Sequence, residues 1–354
     1  MKIFYPKPLY DANYRGLTFP LLKPFIKGAS FTDAQRVAMY GVSENDVQLT
    51  ATMEEAAVAI LPMAWQYHQK TNTTQQALEF IADCNRKKKQ VWGFNAGDFG
   101  VKTPALPNVT WFRLGGNKSQ FTEQEYTIPP FINDPLEKHY QTHNITERPY
   151  QNKPVIGFCG QANASLLQKG EDVLKIVGRN VKSNIGLTQN TPQPLIATSY
   201  LRASLLQTLE QCSKVQTNFI KRKQYRAGVK KQKDSHATTK EFYDMIHQTD
   251  YTLCVRGAGN FSVRFYETLA MGRIPILVDT DSPLPFQEIL PWKKYVVWVS
   301  YNERRAICEK VKTFHQSLSE TDFIALQHAN RTLWKDNLTM GGFFKRFFQP
   351  NSLI

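Results

Sequence analysis

Short apolar runs alternate with amphipathic segments over the first 130 residues of the chain. Five of these runs are too short for helices and predict strands: Lys2–Tyr5, Val47–Thr50, Ala56–Leu61, Gln90–Phe94 and Val109–Leu114. Between them, Asp33–Tyr40 and Thr74–Arg86 repeat their apolar residues at helical spacing. Because strands alternating with helices are typical of βαβ units, this region is predicted to form a parallel sheet.

The alternation is interrupted between Asp134 and Pro154, a polar stretch that we predict to be a domain linker. It then resumes with strand Pro154–Phe158, a glycine turn at Gly157–Gly160, helix Tyr200–Gln211, strand Val215–Ile220, helix Thr239–His247 and strand Tyr295–Val299. Thr238 and Glu241 have capping-box spacing at the second of these helices. We therefore predict an α/β fold with two Rossmann-like domains, 1–150 and 151–325, followed by C-terminal helices over 326–354.

The stretch Tyr251–Pro285 carries the most informative local pattern. It predicts, in order, a strand over Tyr251–Val255, a turn at Gly257 and Gly259, a helix capped by Ser262 and ended by Gly272, a strand over Ile274–Val278 and an acidic loop at Asp279 and Asp281. Ligands of open parallel sheets bind outside the carboxyl ends of the strands, where this turn and this loop would lie. The unit therefore predicts a nucleotide site.

Composition and charge narrow the classes of partner. A hydrophobic content of 42% excludes a disordered chain, and no apolar run is long enough to span a membrane. The formal net charge of +14 favours anionic partners such as nucleic acid, an acidic membrane or phosphorylated substrates. A basic nucleic-acid-binding protein would explain the charge, but the sequence has no helix-turn-helix, zinc or RNA-binding signature. We expect no nucleic-acid partner.

The cysteines and the N-terminus suggest a compartment. The five cysteines are scattered and form no CxxC pair: Cys84, Cys159, Cys212, Cys254 and Cys308. This spacing argues against both a disulfide framework and a zinc site. The N-terminus has no apolar stretch of the length that a signal peptide needs. A reducing cytoplasm is the expected location.

Two established chemistries fit the Tyr251–Pro285 unit in part. Gly257-Ala258-Gly259 with Asp279 resembles the fingerprint of an NAD-dependent oxidoreductase, but Ser262 replaces its third glycine. Alternatively, Asp279 and Asp281 could hold a divalent ion for a metal-dependent nucleotide-sugar transferase. An Asp-x-Asp tripeptide is common by chance, so it is weak evidence for a metal.

A third chemistry uses more of the residues. A helix N-terminus binds phosphate, and Arg256 and Arg264 would add charge-assisted hydrogen bonds. Glu267 lies three residues after Arg264, where its carboxylate could accept both ribose hydroxyls of a nucleotide. The alternative is that Arg264 and Glu267 form a surface ion pair of little energetic weight. The convergence of Arg256, the glycines and Ser262 on one helix end favours the nucleotide.

Several stretches resemble the exostosin-type glycosyltransferases. The strongest similarity is to the donor-site motif of that family, in Arg256-Gly257, Phe261–Ala270, Ile274-Pro275-Ile276, Leu284-Pro285-Phe286, Ile289-Leu290 and Trp292. Looser similarity covers Lys153–Gly160, Asn218–Arg226 and the region 55–100. The resemblance implies the GT-B architecture, in which two Rossmann-like domains face each other across a cleft. It also implies inverting transfer of a sugar from a nucleotide sugar, with UDP favoured, without a bound metal or a cofactor.

The resemblance also implies roles for individual residues. The implied donor-binding residues are Arg256, Gly257, Gly259, Ser262, Arg264, Glu267, Arg222 and Arg226. Arg256 and Arg264 would face the diphosphate and Glu267 the ribose, while Arg222 and Arg226 have a solvated basic loop as their alternative. The implied border of the donor site is Asp281, Leu284, Pro285 and Phe286.

An inverting transfer needs a base that takes the proton of the acceptor hydroxyl. We expect it from the N-terminal domain, and Asp98 follows a predicted strand in a glycine-flanked loop. The alternative is a turn aspartate that caps its own loop. Asp134 and His143 are weaker candidates for the base.

The C-terminal segment Trp334–Phe348 is expected to return onto the N-terminal domain. The alternative is that its phenylalanines, around Lys345 and Arg346, contact an acidic membrane that carries a lipid-linked acceptor. Animal exostosins are membrane-anchored, whereas this chain begins at its first predicted strand. We therefore expect a stand-alone microbial form, cytoplasmic or peripheral at the inner face of the membrane, that builds surface polysaccharide on a glycan or lipid-linked glycan acceptor.

Overall fold

Two parallel sheets organise the computed structural model, which describes residues 1–28, 30–222 and 236–348. The first sheet contains β1 (Lys2–Phe4), β2 (Gln48–Leu49), β3 (Val58–Ile60), β4 (Gln90–Asn95), β5 (Val109–Arg113) and β6 (Glu125–Thr127). Its spatial order is β2-β1-β3-β4-β5-β6, and every pair is parallel. All five strands that the apolar runs predict in this region are present.

The second sheet contains β7 (Val155–Gln161), β8 (Gln216–Arg222), β9 (Tyr251–Cys254), β10 (Ile274–Asp279) and β11 (Val297–Ser300). Its order is β11-β10-β9-β7-β8, again with parallel pairs throughout. The chain crosses over between β7 and β9, so the loop after β9 lies near the middle of the sheet. The predicted α/β fold of two Rossmann-like domains is confirmed.

Eleven α-helices lie within the described ranges. They are α1 (Asp33–Tyr40), α2 (Trp65–Lys70), α3 (Thr74–Arg86), α4 (Pro135–Tyr140), α5 (Leu166–Asn184), α6 (Thr198–Glu210), α7 (His236–His247), α8 (Val263–Ala270), α9 (Ile307–Gln316), α10 (Glu320–Asn337) and α11 (Met340–Phe348). In the described part of the chain, no helix combines the length and the apolar character that crossing a membrane requires.

The last helix, α11, packs into the core of the first sheet. Phe343 and Phe344 are 1% and 2% exposed and belong to one cluster with Phe19, Trp92 and Phe112. The ring of Phe347 lies 4.8 Å from that of Phe112. These rings are therefore covered by protein, and the end of the described chain is tied to the N-terminal domain.

The segment predicted as a linker is itself packed. Helix α4 lies within it, and Leu136 of α4 is 1% exposed in a cluster with Met245 and Met271 of the second domain. Arg148, further along the segment, forms an ion pair with the buried Asp250. The connection between the sheets is thus fixed against the second domain.

Two local predictions are wrong, and one helix is not predicted. Gly157–Gly160 is part of strand β7, because a Cβ on Gly157 would lie 2.3 Å from Met245 Sδ and the glycine lets α7 pack closely on the strand. The residues Thr238 and Glu241 are not a capping box, since α7 begins at His236. Helix α5, which the sequence pattern does not predict, fills the region between β7 and α6.

The prediction against a disulfide is also wrong. Cys212 and Cys308 are joined, with their Cα atoms 6.3 Å apart. Cys212 follows α6 and Cys308 lies near the start of α9, and these two helices pack side by side. A separation of 96 residues along the chain leaves no local spacing from which this pairing could be recognised. Because disulfides persist in oxidising compartments, the bond weighs against the expected reducing location.

Candidate active site

The loop that follows β9 faces the N-terminal domain and begins with a buried arginine. Arg256 is 4% exposed, and its Nη2 donates to Gln193 Oε1 at 2.7 Å and to the carbonyl of Ala258 at 3.3 Å. Its Nε and Nη1 are buried and have no hydrogen-bond partner among the described residues. Unpaired donors on a buried guanidinium are suited to hydrogen-bond the oxygens of an anion.

The charge of Arg256 is retained at neutral pH. Burial lowers the pKa of Arg256 to about 10, and the charge of Asp98 acts in the opposite direction. Arg256 therefore remains a cation that is only partly neutralised by the residues around it.

Asp98 lies between two glycines, one from each domain. A Cβ on Gly115 of the first domain would approach the Asp98 carbonyl oxygen to 2.3 Å, and a Cβ on Gly259 of the second would approach it to 2.2 Å. Any larger residue at either position would push the two loops apart. The glycine turn of the second domain is thus shaped to receive the loop of the first.

The carboxylate of Asp98 faces the second domain. Its Oδ2 lies 3.8 Å from the place that a Cβ on Gly257 would take. Within the described chain no donor hydrogen-bonds to this carboxylate, so Asp98 does not cap its own loop as the alternative required. The Asp98 carboxylate therefore lies without a hydrogen-bond donor, among the described residues, at the contact between the domains.

Gln193 connects the two loops, and sequence reasoning missed it. Its Nε2 donates to the carbonyl of Phe99 at 2.6 Å, while its Oε1 accepts from Arg256. Its backbone N donates to Asn180 Oδ1 at 2.8 Å, which fixes the glutamine from behind. The signal in the sequence is slight, a glutamine between Pro192 and Pro194.

Arg264, the second residue of α8, spans the ends of two strands. Its Nη2 donates to the carbonyl of Cys159 at the end of β7 at 2.6 Å, and its Nη1 donates to the carbonyl of Leu253 in β9 at 3.4 Å. Its guanidinium lies 4.5 Å from the ring of Phe158, and its Nε is buried with no partner among the described residues. Arg264 therefore braces the sheet edge beneath the loop of Arg256.

Glu267, one turn further along α8, does not pair with Arg264 in an ion pair within the described residues. Instead its Oε1 accepts from the hydroxyl of Tyr243 at 2.9 Å. Burial raises the pKa of the Glu267 carboxyl, and the Tyr243 hydrogen bond and the Arg264 charge oppose that rise. The surface ion pair that was the alternative for these residues is not formed.

Ser262 precedes α8 with extended backbone, at φ −139° and ψ 106°. Its side chain makes no capping hydrogen bond. The predicted helix start is therefore present, but the side-chain cap is not, and the first turn of α8 lacks this acceptor.

Of the two arginines expected in a basic loop, Arg222 is the last residue of strand β8. Arg222 donates to the carbonyl of Thr238 at 3.0 Å and forms an ion pair with Glu241, so it is held at the start of α7. It lies on the edge strand, two strands from β9. Arg226 lies outside the described residues.

The predicted border of the donor site forms a second contact between the domains. The Asp281 carboxylate accepts from Ser119 Oγ at 2.6 Å, and its carbonyl accepts from the backbone N of Lys118 at 3.0 Å. Leu284 and Pro285 are buried, and the ring of Phe286 lies 4.9 Å from that of Phe343 in α11. The Asp281 carboxylate therefore binds the N-terminal domain.

Asn260 holds this contact together and was also missed. It is 1% exposed, and its Nδ2 donates to Asn117 Oδ1 at 3.2 Å and to the carbonyls of Thr280 and Asp281 at 2.9 and 2.7 Å. Its Oδ1 accepts from Thr280 Oγ1 at 2.8 Å. One amide thus ties the glycine turn to the loop after β10 and to the first domain.

Asp279 and Asp281 do not join a metal-ligand group in the described ranges. Asp279 accepts from the backbone N of Ser282 at 2.8 Å. In the described chain the group of carboxylate and imidazole ligands close enough to share an ion is Asp134, Glu137 and His143. Arg331 already pairs with both carboxylate oxygens of Asp134, so this aspartate is poorly placed to serve as a base.

A groove of about 1860 Å³ opens beside the Asp98 loop. Phe94, Ala96 and Gly97 from the end of β4 and Leu114 from the end of β5 form one wall, and residues of α10 and α11 form the other. The groove therefore reaches the neighbour of Asp98 from the side of the first domain. Together these features define an α/β protein in which a buried arginine with unpaired donors and an unpaired carboxylate lie where two parallel sheets meet.

Comparison with known proteins agrees with this description. Residues 190–314 match the model of the exostosin GT47 domain family. The match includes Gln193, Arg256, Arg264 and Glu267, and it confirms the resemblance to exostosin-like glycosyltransferases over this stretch.

Two curated relatives show the same similarity over shorter segments. The "Probable glucuronosyltransferase GUT1" of Oryza sativa subsp. japonica is 29% identical over 62 residues, which are 18% of this chain and 15% of the relative. Exostosin-1 of Bos taurus is 28% identical over 95 residues, which are 27% of this chain and 12% of the relative. The matched segments thus span only 12 to 15% of the length of these relatives.

Among solved structures, TarM matches over 75% of this chain and 51% of its own, with 9% identity and a TM-score of 0.34. A mutant of S. aureus TarM, in complex with fondaparinux, alpha-GlcNAc-glycerol and UDP, matches over the same shares with a TM-score of 0.36.

Proposed function

We propose that this protein is a glycosyltransferase that moves a sugar from a nucleotide sugar to a glycan acceptor. The observation that carries the proposal is Arg256, a buried cation with two donors left without partners among the described residues, inside the stretch that matches the exostosin domain. A diphosphate would supply the missing acceptors and the counter-charge. The position of Arg256 at the carboxyl end of a central parallel strand supports the same ligand.

The proposed reaction is an inverting transfer that does not use a metal. As the bond between sugar and diphosphate breaks, negative charge grows on the leaving diphosphate, and Arg256 with the first turn of α8 would stabilise it. Asp98 would take the proton of the acceptor hydroxyl from the opposite side of the sugar. The unpaired Asp98 carboxylate, directed at the second domain, supports this role.

The substrates are proposed from the resemblance and from the groove. UDP is the nucleotide that the exostosin-like motif implies, with Glu267 on the ribose and no cofactor. The groove that Gly97 helps to line has a volume of about 1860 Å³, which supports a glycan or a lipid-linked glycan as the acceptor. Synthesis of surface polysaccharide remains the proposed role, and the cytoplasmic location remains a prediction.

The test is a titration of nucleoside diphosphates against thermal unfolding. UDP, and then UDP-sugars, should raise the Tm in a saturable way. At a ligand concentration of a hundred times the Kd, the free energy of unfolding should increase by about 2.7 kcal/mol. GDP, CDP and ADP should give smaller shifts, and EDTA should not abolish the UDP shift.

Arg256→Ala is the decisive variant, and the exposed Arg305→Ala is its matched control. The first should lose the UDP shift and nearly all sugar transfer, because the diphosphate loses its principal cation, while the second should retain both. An undiminished UDP shift in a folded Arg256→Ala protein would refute the assignment.

A further inference from the structure

Helix α5 turns its apolar side toward the solvent. Leu167, Leu174 and Ile185 are 84%, 71% and 64% exposed, and Val177 and Val181 are 38% and 51% exposed. Their spacing places all five on one face of the helix. A surface helix of a single globular domain normally has the reverse arrangement.

The opposite side of α5 is packed and polar. Ser183 is 1% exposed, and its hydroxyl donates to the carbonyl of Asn190 at 2.5 Å. Asn180 donates to the carbonyl of Gln193 at 2.7 Å and accepts from its backbone N. The orientation of α5 is therefore fixed by specific hydrogen bonds, and rotation cannot bury the apolar face.

The apolar face is large enough for an interface. With the neighbouring Leu166 and Leu187, both 69% exposed, it forms a patch on the order of 500 Å², which is at the upper end of what monomers expose. Roughly 600 to 1,000 Å² per partner is typical of a stable pair of proteins, so this patch and its rim approach that size.

We infer that α5 pairs with α5 of a second copy of this chain, antiparallel and across a two-fold axis. With the two-fold axis at residue 176, near the middle of α5, Leu174 of one copy would face Gly178 of the other, and Leu167 would face Ile185. A Cβ on Gly178 would meet no atom within 4 Å in the single chain, so the space that a leucine needs is open. A two-fold interface requires such self-complementarity.

The charges beside the apolar face are self-complementary too. Glu171 and Lys182 lie on the same flank of α5, eleven residues apart. In the antiparallel pair, Glu171 of one copy would lie beside Lys182 of the other, and the two-fold axis makes this contact twice. Within the described part of its own chain Glu171 makes two loose contacts, with Lys175 Nζ at 3.8 Å and with Gln168 Nε2 at 3.4 Å.

The same features disfavour a lipid surface as the occupant. Glu171 borders the apolar face and would have to enter an anionic headgroup region, and α5 contains no Trp or Tyr to anchor at the interface. The dimer rests on the geometry of α5 alone and does not depend on the proposed sugar transfer.

The experiment is sedimentation equilibrium of the full chain over a hundredfold concentration range. We expect a reversible transition from the 40.7 kDa monomer to twice that mass. Leu174→Glu should abolish it, whereas the equally drastic Leu195→Glu, at a 56% exposed leucine outside α5, should not. Circular dichroism checks that each variant is folded. A monomer at every concentration would refute the inference.

A charge-swap pair tests the register. Glu171→Lys and Lys182→Glu should each weaken association about tenfold or more, because like charges then face each other, and the double variant should restore it. Failure of the double variant to recover would exclude the antiparallel arrangement.

Gly178→Leu separates the two classes of occupant. It should block close approach of two helices, whereas added apolar bulk would strengthen binding to a membrane. The contrary result would be that wild-type protein binds phosphatidylglycerol vesicles and that Gly178→Leu and Glu171→Lys strengthen this binding. It would show that α5 binds a lipid surface and not a second copy of the chain.

Discussion

At the scale of single residues, the Asp98 carboxylate has an environment that suits a base. It lies close to the cation of Arg256, yet no described residue donates a hydrogen bond to it. We predict that Asp98→Asn lowers kcat by about 10²- to 10⁴-fold, the usual contribution of general base catalysis. UDP should still stabilise this variant, because the diphosphate contacts are intact.

Glu123→Gln, at an exposed position of the same domain, is the control and should behave as wild type. The rate of sugar transfer measured against pH provides the second readout. The profiles of wild type and Asp98→Asn should differ in height and shape, because only wild type has a carboxylate at this position. A profile of Asp98→Asn that matches wild type in height and shape would remove Asp98 from the mechanism.

The sequence predicts some residues of the site and not others, for a physical reason. Arg256, Gly259 and Asp98 stand beside predicted strands and glycines, so local pattern is enough to single them out. Gln193 and Asn260 have no such neighbours, and their importance comes from hydrogen bonds to residues 63 to 143 positions away. Only the folded chain brings those partners together.

At the scale of elements, the contact between the Asp98 loop and the glycine turn after β9 joins the domains. A methyl group on Gly259 would lie 2.2 Å from a backbone oxygen, which cannot rotate out of the way. We predict that Gly259→Ala destabilises the protein by about 1 to 3 kcal/mol, the usual cost of overpacking, and weakens transfer by displacing Asp98 from Arg256. Thermal unfolding and a transfer assay measure the two effects.

Gly16→Ala is the matched control, because a Cβ at Gly16 meets no atom within 4 Å. Its Tm and its rate of sugar transfer should stay near wild type. Equal behaviour of the two alanine variants would show that the loops do not need this close contact.

The predictions of elements succeed where the ends of an element are marked locally. Helix α1 has the predicted bounds because Thr32 and Gln35 form a capping box and Gly41 ends it at φ 65°. Helix α5 is not predicted because its most apolar face is exposed to solvent and the packed side carries polar residues. Its sequence pattern therefore does not show which side faces the protein core. Strand β7 continues through Gly157 and Gly160 because those glycines admit Met245 and Arg264, which are distant in sequence.

At the scale of the whole molecule, the two parallel sheets follow from the βαβ alternation, but the order of their strands and the contact between the domains do not. The contact depends on Asp281 with Ser119 and on Asn260 with Asn117, pairs that no pattern along the chain connects. The disulfide between Cys212 and Cys308 is a third long-range link, and it lies entirely within the second domain.

That disulfide should stabilise the whole second domain. It closes a loop of 96 residues, for which the loss of entropy in the unfolded chain corresponds to up to about 4.7 kcal/mol. We predict that dithiothreitol lowers the Tm of the wild-type protein and that the Cys212→Ser/Cys308→Ser double variant has the same lower Tm without reductant. The double variant itself should not respond to dithiothreitol, because Cys84, Cys159 and Cys254 are buried free thiols. If the reductant leaves the wild-type Tm unchanged, the two cysteines are not paired in solution. The expected reducing compartment would then agree with the cysteines of this chain.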